Sequence, residues 1–296
     1  VRITDEQTRH LVRHGYAVVP GFLSPEELAA PRANLLRYYP TAEELAATPE
    51  RYGWIYDDPE HLQIEFPFAG DALNHISTHP DLIDAVERLL GTREVLLSQA
   101  AIWAKYAGTG EFEQTMHLDY QGNTLVVPRD DGAFRQVNMI LYYSDVGPDL
   151  GPTCVVPLEH TQDLSPWPPF RPRKKYPDLY RHEKALPGKA GDLLLFSMST
   201  FHRASELTAD FGARLSHHFV WRAAAYPFAG YHQWSHFGEK PELARFIERA
   251  TPRQREVIGF PPPGHPYWNE RTLAGVSARY PRMDMKPYTT ALGGQK

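Results

Sequence analysis

The chain has 296 residues, 42% hydrophobic and 23% charged, which is enough apolar side chain for a sizeable core and excludes a disordered segment. Its 31 basic and 36 acidic residues leave a net charge of −5, which excludes the basic footprint of a nucleic-acid binder. One cysteine, Cys154, excludes an internal disulfide and a cysteine-rich metal cluster, and 27 prolines argue against a bundle of long helices.

In chain order, residues 1–93 read as mainly helical. The start, Val1 to His10, is polar and shows no signal peptide. Asp5 to His14 has a capping start and a glycine stop at Gly15, and Tyr16 to Leu23 is a short strand-like run. Ser24 is a natural N-cap with Pro25 at the first helical position. A further helix is predicted from Pro80 to Leu90, ending at Gly91. No run reaches the roughly 18 apolar residues of a membrane span. The expectation is a cytoplasmic protein with neither membrane nor nucleic-acid partner.

From Glu94 to Arg222 the pattern changes. EVLLSQAAIWAKYAG, VNMILYYSDV, TCVVPLEH, GDLLLFSM and RLSHHFVWR are strand-length, rich in branched and aromatic residues, and separated by Gly, Pro and Asp. Such runs without helices between them predict an antiparallel sandwich or barrel. Residues 162–190 form a proline-rich insertion, read as a loop or lid over one barrel mouth. The tail, 223–296, is aromatic and proline-rich with one helical patch at KPELARFIERA. No repeat or linker divides the chain, so one domain is expected across 1–296.

With cysteine excluded, a metal would need histidine and carboxylate ligands. His79-Pro80-Asp81 lies at a helix start, where Asp81 suits the helix dipole, so that pair is read as structural. His117-Leu118-Asp119 closes a strand-like region, and residues i and i+2 of an extended segment share a face. Of the later histidines, His202 follows the most apolar strand; two histidines and a carboxylate suit a non-haem iron site with open positions. Arg214 opens the next strand, where it either forks onto the distal carboxylate of a co-substrate or pairs a structural acid. Gln99, Trp103 and Lys105 share one strand face, as do Arg214, Ser216 and His218. Tyr120, Gln121 and Asn123 follow the H-x-D turn toward a pocket mouth; Trp167, Phe170, Tyr231, Trp234 and Phe237 are candidates for a lid or for barrel cover.

Across residues 1–225 the chain resembles the phytanoyl-CoA dioxygenase-like family of Fe(II)/2-oxoglutarate oxygenases. HGYAVVPGFLSPEELAAPRANL and HPDLIDAVERLLG are similar to its N-terminal segments, and HLD at 117–119, GPDLGPTCVVPLEHT at 147–161 and FHRASELTADFGAR at 201–214 follow in family order. The resemblance implies a mainly β fold with helical additions: a double-stranded β-helix, the cupin-like jelly roll, with its core at 94–222. It implies His117, Asp119 and His202 as Fe(II) ligands and Arg214 on the C5 carboxylate of 2-oxoglutarate. Gln99 is placed like the family's glutamine near the oxoacid, and Lys105 is a second cofactor-binding candidate. O2 would be the third reactant, and the substrate a small molecule, with secondary metabolism its setting and hydroxylation the expected outcome.

Two positions depart from the family pattern. Pro157-Leu158-Glu159-His160 stands where relatives often carry PGSH, and Ala204 where many carry serine or threonine near the oxoacid. Asp119 is retained, whereas halogenating relatives replace it. A cupin-type metal enzyme not using 2-oxoglutarate and a non-catalytic jelly-roll binding protein are the competing readings. A monomer and a homodimer are equally compatible with the sequence.

Overall fold

The computed structural model describes residues 2–59, 62–109, 113–120, 127, 136–225 and 234–293. Gln121, Asn123 and Tyr231, singled out in the sequence, lie outside them. Nine strands are placed: β1 (Tyr16–Val19), β2 (Gln63–Glu65), β3 (Val95–Tyr106), β4 (Gln136–Tyr142), β5 (Thr153–Val155), β6 (Lys184–Leu186), β7 (Leu193–Ser197), β8 (His202–Ala204) and β9 (Ala213–Ala223). They form two antiparallel sheets, ordered β1-β7-β4-β9-β3-β2 and β6-β5-β8. This is the two-sheet jelly-roll arrangement, and among the described residues it does not close into a barrel.

Strand periodicity explains how the sheets pack. β4 and β7 are apolar at nearly every position because both faces are buried. Met139, Leu141, Leu193 and Leu195 face the helices, while Ile140, Tyr142, Leu194 and Phe196 meet Val155 and Leu186 of the smaller sheet. Alternation along β9 and β3 instead separates chemistry from core. Leu215, Phe219, Trp221, Ala100 and Ile102 join the helix-side core. Their strand neighbours Arg214, Ser216, His218, Trp103 and Lys105 point the other way, and all but Ser216 line cavities on the inner face.

The helices are α1 (Asp5–His14), α2 (Pro25–Leu35), α3 (Ala42–Ala47), α4 (Gly53–Asp57), α5 (Ala72–Ser77), α6 (Pro80–Leu90), α7 (Pro177–Arg181), α8 (Pro241–Arg249), α9 (Pro252–Glu256), α10 (Glu270–Arg279) and α11 (Lys286–Gly293). The tail is thus far more helical than its one expected patch. Its prolines mislead because Pro241 and Pro252 occupy first helical turns, where the missing N–H costs nothing. Trp234, Leu243, Phe246, Val257 and Tyr288 from this tail belong to the same core as β3 and β9. The Trp234 indole donates to the Leu97 carbonyl (3.0 Å), so Trp234 covers the back of the sheet and is no lid.

Residues 162–190 are likewise not simply a loop. They contain α7, and their last part is β6, a strand of the smaller sheet. Arg171 pairs with Met116 in a β-bridge, and the Tyr180 hydroxyl accepts from the Met116 N–H (2.9 Å) while donating to the Arg171 carbonyl (2.8 Å). The insertion is therefore built onto the stretch that leads into His117.

Candidate metal centre

His117 lies one bridge beyond the end of the smaller sheet. Its N–H donates to the His202 carbonyl (2.9 Å), and the His202 N–H donates back to the His117 carbonyl (3.0 Å). That reciprocal pair sets the two imidazoles side by side, with ring centroids 4.4 Å apart. The His117 Nδ1–H donates to Thr115 O (2.8 Å), and the His202 Nδ1–H donates to Thr200 O (3.1 Å). A carbonyl only accepts, so each Nδ1 carries the proton and each Nε2 presents a lone pair. The Asp119 carboxylate converges with both lone pairs on one point: its Oδ1 lies 3.2 Å from His117 Nε2 and its Oδ2 lies 3.1 Å from His202 Nε2.

The turn carrying Thr200 depends on a glycine 185 residues away. Gly15 ends α1 at φ +84°, and its carbonyl accepts from Ser197 N and Thr200 Oγ1. A Cβ at Gly15 would stand 2.5 Å from Thr200 Oγ1 and 2.6 Å from Leu158 Cγ. The glycine stop read in the sequence is thus also a close approach that seats the His202 turn.

The donor set fits a divalent metal. All three ligand atoms lie within 4.8 Å of one another, and this is the one such cluster among the described residues. Ligand atoms bonded at about 2.1 Å to one ion stand about 3–3.5 Å apart, and the two His–Asp contacts, made to the two carboxylate oxygens, fall in that range. Burial alone would raise the Asp119 carboxyl, but the His202 and His117 imidazoles hold it well below its ordinary range. Burial pushes the His117 imidazole down, and the Asp119 carboxylate outweighs it, leaving a net rise.

Two residues absent from the sequence reading support the carboxylate. Asn138 Nδ2 donates to Asp119 Oδ2 (3.3 Å); Gln136 Nε2 donates to the Asp119 carbonyl (2.9 Å) and to Asn138 Oδ1 (3.0 Å). The Gln136 contact fixes which way the Asn138 amide points. The available signal was an amide within the otherwise apolar run VNMILYY, which a buried strand tolerates only with partners.

Two compartments open from the triad, sharing Trp103, Ile140, Phe196 and His218. One, about 130 Å³, is lined by Lys105, Gln114, Thr153, Ala204 and Arg214. Arg214 is buried, burial lowers its guanidinium, and its hydrogen bond runs to the Gly151 carbonyl; no carboxylate pairs with it among the described residues. Lys105 faces it directly across the β3–β9 register. The other compartment, about 230 Å³, is lined by Gln63, Gln99, Asn138, Met139, Phe170 and Val220. Gln99 lies here and not beside Arg214. His218 lines both, and its imidazole is pushed down to about 3, first by burial and then by Arg214. Tyr120 also lines the larger one, with its hydroxyl donating to Pro166 O (2.8 Å).

Other sequence candidates fall elsewhere. His79 caps α6 through Nδ1, and Asp81 pairs with Arg2. His160 stacks on His182 at 4.1 Å, away from the triad. Phe237 packs against the helix-side core, whereas Phe170 stacks over the His117 ring at 5.6 Å and 15°. A roomier cavity, about 440 Å³, lies between β3 and the tail helices, lined by Leu97, Trp234, Ile258 and Tyr280. The triad does not line it.

The family model of phytanoyl-CoA dioxygenase matches residues 11–214. The crystal structure of the epimerase SnoN in complex with Fe3+, alpha ketoglutarate and nogalamycin RO is similar, at 19% identity and TM-score 0.53 over 74% of this chain and 83% of that one. The alpha ketoglutarate dependent carbocyclase SnoK from nogalamycin biosynthesis gives 21% and 0.54 over 75% and 84%. HygX from Streptomyces hygroscopicus with nickel and 2-oxoglutarate bound gives 17% and 0.54 over 75% and 87%. These likenesses show the fold. No curated protein matches the chain.

Proposed function

The chain belongs to the phytanoyl-CoA dioxygenase family, and from that premise we propose that it is an Fe(II)- and 2-oxoglutarate-dependent oxygenase that hydroxylates a small molecule. The observation that carries this reading is the convergence of His117, Asp119 and His202 beside a compartment floored by the buried Arg214. When bound, Fe(II) supplies the redox chemistry by which substrate C–H, O2 and 2-oxoglutarate become alcohol, succinate and CO2.

The residues divide the remaining work. His117 and His202 hold the metal through Nε2 atoms whose tautomers the Thr115 and Thr200 carbonyls set. Asp119 supplies the anionic ligand, and Asn138 keeps its carboxylate from rotating. Arg214, buried and with Lys105 opposite, receives the distal carboxylate of 2-oxoglutarate by a charge-assisted bond. Phe170 covers the His117 ring and limits water at the centre. The substrate then occupies the larger compartment. SnoN, whose crystal structure holds nogalamycin RO, supports a secondary metabolite as substrate. We read residues 1–296 as one domain, because the tail helices share the core of the central sheet. No helix among the described residues is long and apolar enough to cross a membrane.

The test is anaerobic titration of the Fe(II)-loaded protein with 2-oxoglutarate, read by the visible charge-transfer band of the chelate. A saturable band in the native protein and none in His202→Ala supports the reading; iron binding with no response to 2-oxoglutarate contradicts it.

A further inference from the structure

The larger compartment has two unlike walls. On one side stands Phe170, its ring stacked over His117 yet 51% exposed, an apolar face bordering the cavity. On the other side β2 and β3 run antiparallel, with Gln63 opposite Trp103 and Gln99 four residues before Trp103. Both amides are half-buried, and neither has a hydrogen-bond partner among the described residues. The Trp103 indole N–H is buried and also unpartnered. A buried donor without an acceptor carries the full cost of its desolvation. Such a group at a cavity wall marks where a ligand oxygen belongs.

Charge narrows the ligand further. Asp119 is the one carboxylate lining this compartment among the described residues, and it is turned to the two imidazoles. No lysine or arginine lines it there. His218 stays neutral because burial and Arg214 disfavour its cation. The cations are sorted to the other compartment, around Lys105 and Arg214. Among the described residues, a phosphate-bearing thioester or a free carboxylate would find no counter-charge lining this compartment, and an ammonium group no carboxylate but the one held at the metal site.

We infer that this compartment selects an uncharged, oxygen-bearing ring compound, with one ring face against Phe170 and its carbonyl or hydroxyl oxygens on Gln63, Gln99 and the Trp103 indole. Gln99 is thereby a substrate-specificity residue and does not bind the oxoacid. This rests on the oxygenase reading for the substrate's role but not for its binding. At about 230 Å³ the space is below the ~300–1,000 Å³ of ordinary ligand pockets, so a compact ring portion enters it.

The test uses five probes: corticosterone, podophyllotoxin and 4-nitrophenyl β-glucoside as neutral oxygenated rings, octanoyl-CoA as a polyanion, and L-lysine as a zwitterion with a cationic side chain. Binding is read by the shift each causes in the charge-transfer band of the anaerobic Fe(II)–2-oxoglutarate protein. Saturation-transfer difference NMR on the metal-free full chain reads it independently. The expected result is binding of at least one neutral probe and of neither charged one. Gln63→Leu, Gln99→Leu and Phe170→Ala should each weaken that probe about three- to tenfold, the range of one lost hydrogen bond or ring contact. Gln99→Asn, which keeps an amide, should recover part of the loss. Failure of all three neutral probes, preferential binding of octanoyl-CoA or lysine, or a bound neutral probe unaffected by all three substitutions overturns the inference. Absence of the band before any probe is added overturns the oxygenase reading instead, and the NMR arm still decides the inference.

Discussion

At the residue scale the centre works by constraint on tautomers and rotamers. Two carbonyls fix the histidine protons, and an amide pair fixes the carboxylate. His202→Ala should abolish stoichiometric iron binding while leaving the circular dichroism spectrum unchanged, because it removes one ligand from an open site. Asn138→Leu, close in shape but without the amide, should weaken iron roughly 10- to 100-fold by equilibrium dialysis, the usual cost of losing a ligand's support. Unchanged affinity would show that Asp119 needs no such partner. His117, Asp119 and His202 were legible because their types and order carry the chemistry. Gln136 and Asn138 were not, since an amide in an apolar strand declares only that it must be paired.

His217 makes a separate point on the helix-facing side of β9. It is fully buried, with Nε2 3.2 Å from Ser77 Oγ and Nδ1 3.4 Å from Tyr143 OH, and burial holds its imidazole well below the ordinary value. The unfolded chain takes up a proton near pH 6.5 and the folded one does not, so stability falls as pH drops below about 6.5 and is flat above it. Urea midpoints should fall between pH 7.5 and 5.5, with His217 contributing about 1.4 kcal/mol. His217→Phe should lessen that dependence by its own share, with His218, pushed down to about 3, keeping a similar share, and an unaltered slope would show that His217 contributes nothing.

At the element scale, β3 and β9 are the functional pair. Their register sets Lys105 opposite Arg214 and Ala101 opposite His218, so one face carries both compartments while the other packs on helices. Arg214→Gln should weaken 2-oxoglutarate roughly 10- to 100-fold through loss of a charge-assisted bond, and leave iron affinity nearly unchanged. Equal loss of both would mean that the arginine supports the fold. These strands were readable from alternation and apolar content. The insertion was misread because its prolines suggested a loop, whereas a three-residue strand such as β6 is too short to show a period. Its pairing partner, β5, supplies the order.

At the scale of the whole molecule, the central sheet divides labour between its faces: helices and tail behind, metal centre and smaller sheet in front. Trp234, Phe246, Val257 and Tyr288 sit in the rear core, and Leu97 N–H donates to Val257 O (2.7 Å). Each such side chain contributes roughly 1.5–3 kcal/mol on burial, so a chain ending at Ala225 should lose cooperative thermal unfolding. A sharp transition in that truncation would show that the tail is dispensable. The tail's helices escaped the sequence reading because prolines at first helical turns look like breakers until the N-caps beside them are weighed, such as Thr251 before Pro252.

Whether the triad and Arg214 together make a 2-oxoglutarate-dependent oxygenase is decided by the stoichiometry of turnover. Purified protein is supplied with Fe(II), 2-oxoglutarate and O2, and succinate formed is counted against O2 consumed, with and without a metal chelator. The expected result is one succinate per O2, lost on chelation and lost again in Asp119→Ala. Iron bound at the triad with no succinate above the metal-free control, across the neutral ring compounds named above, would contradict it.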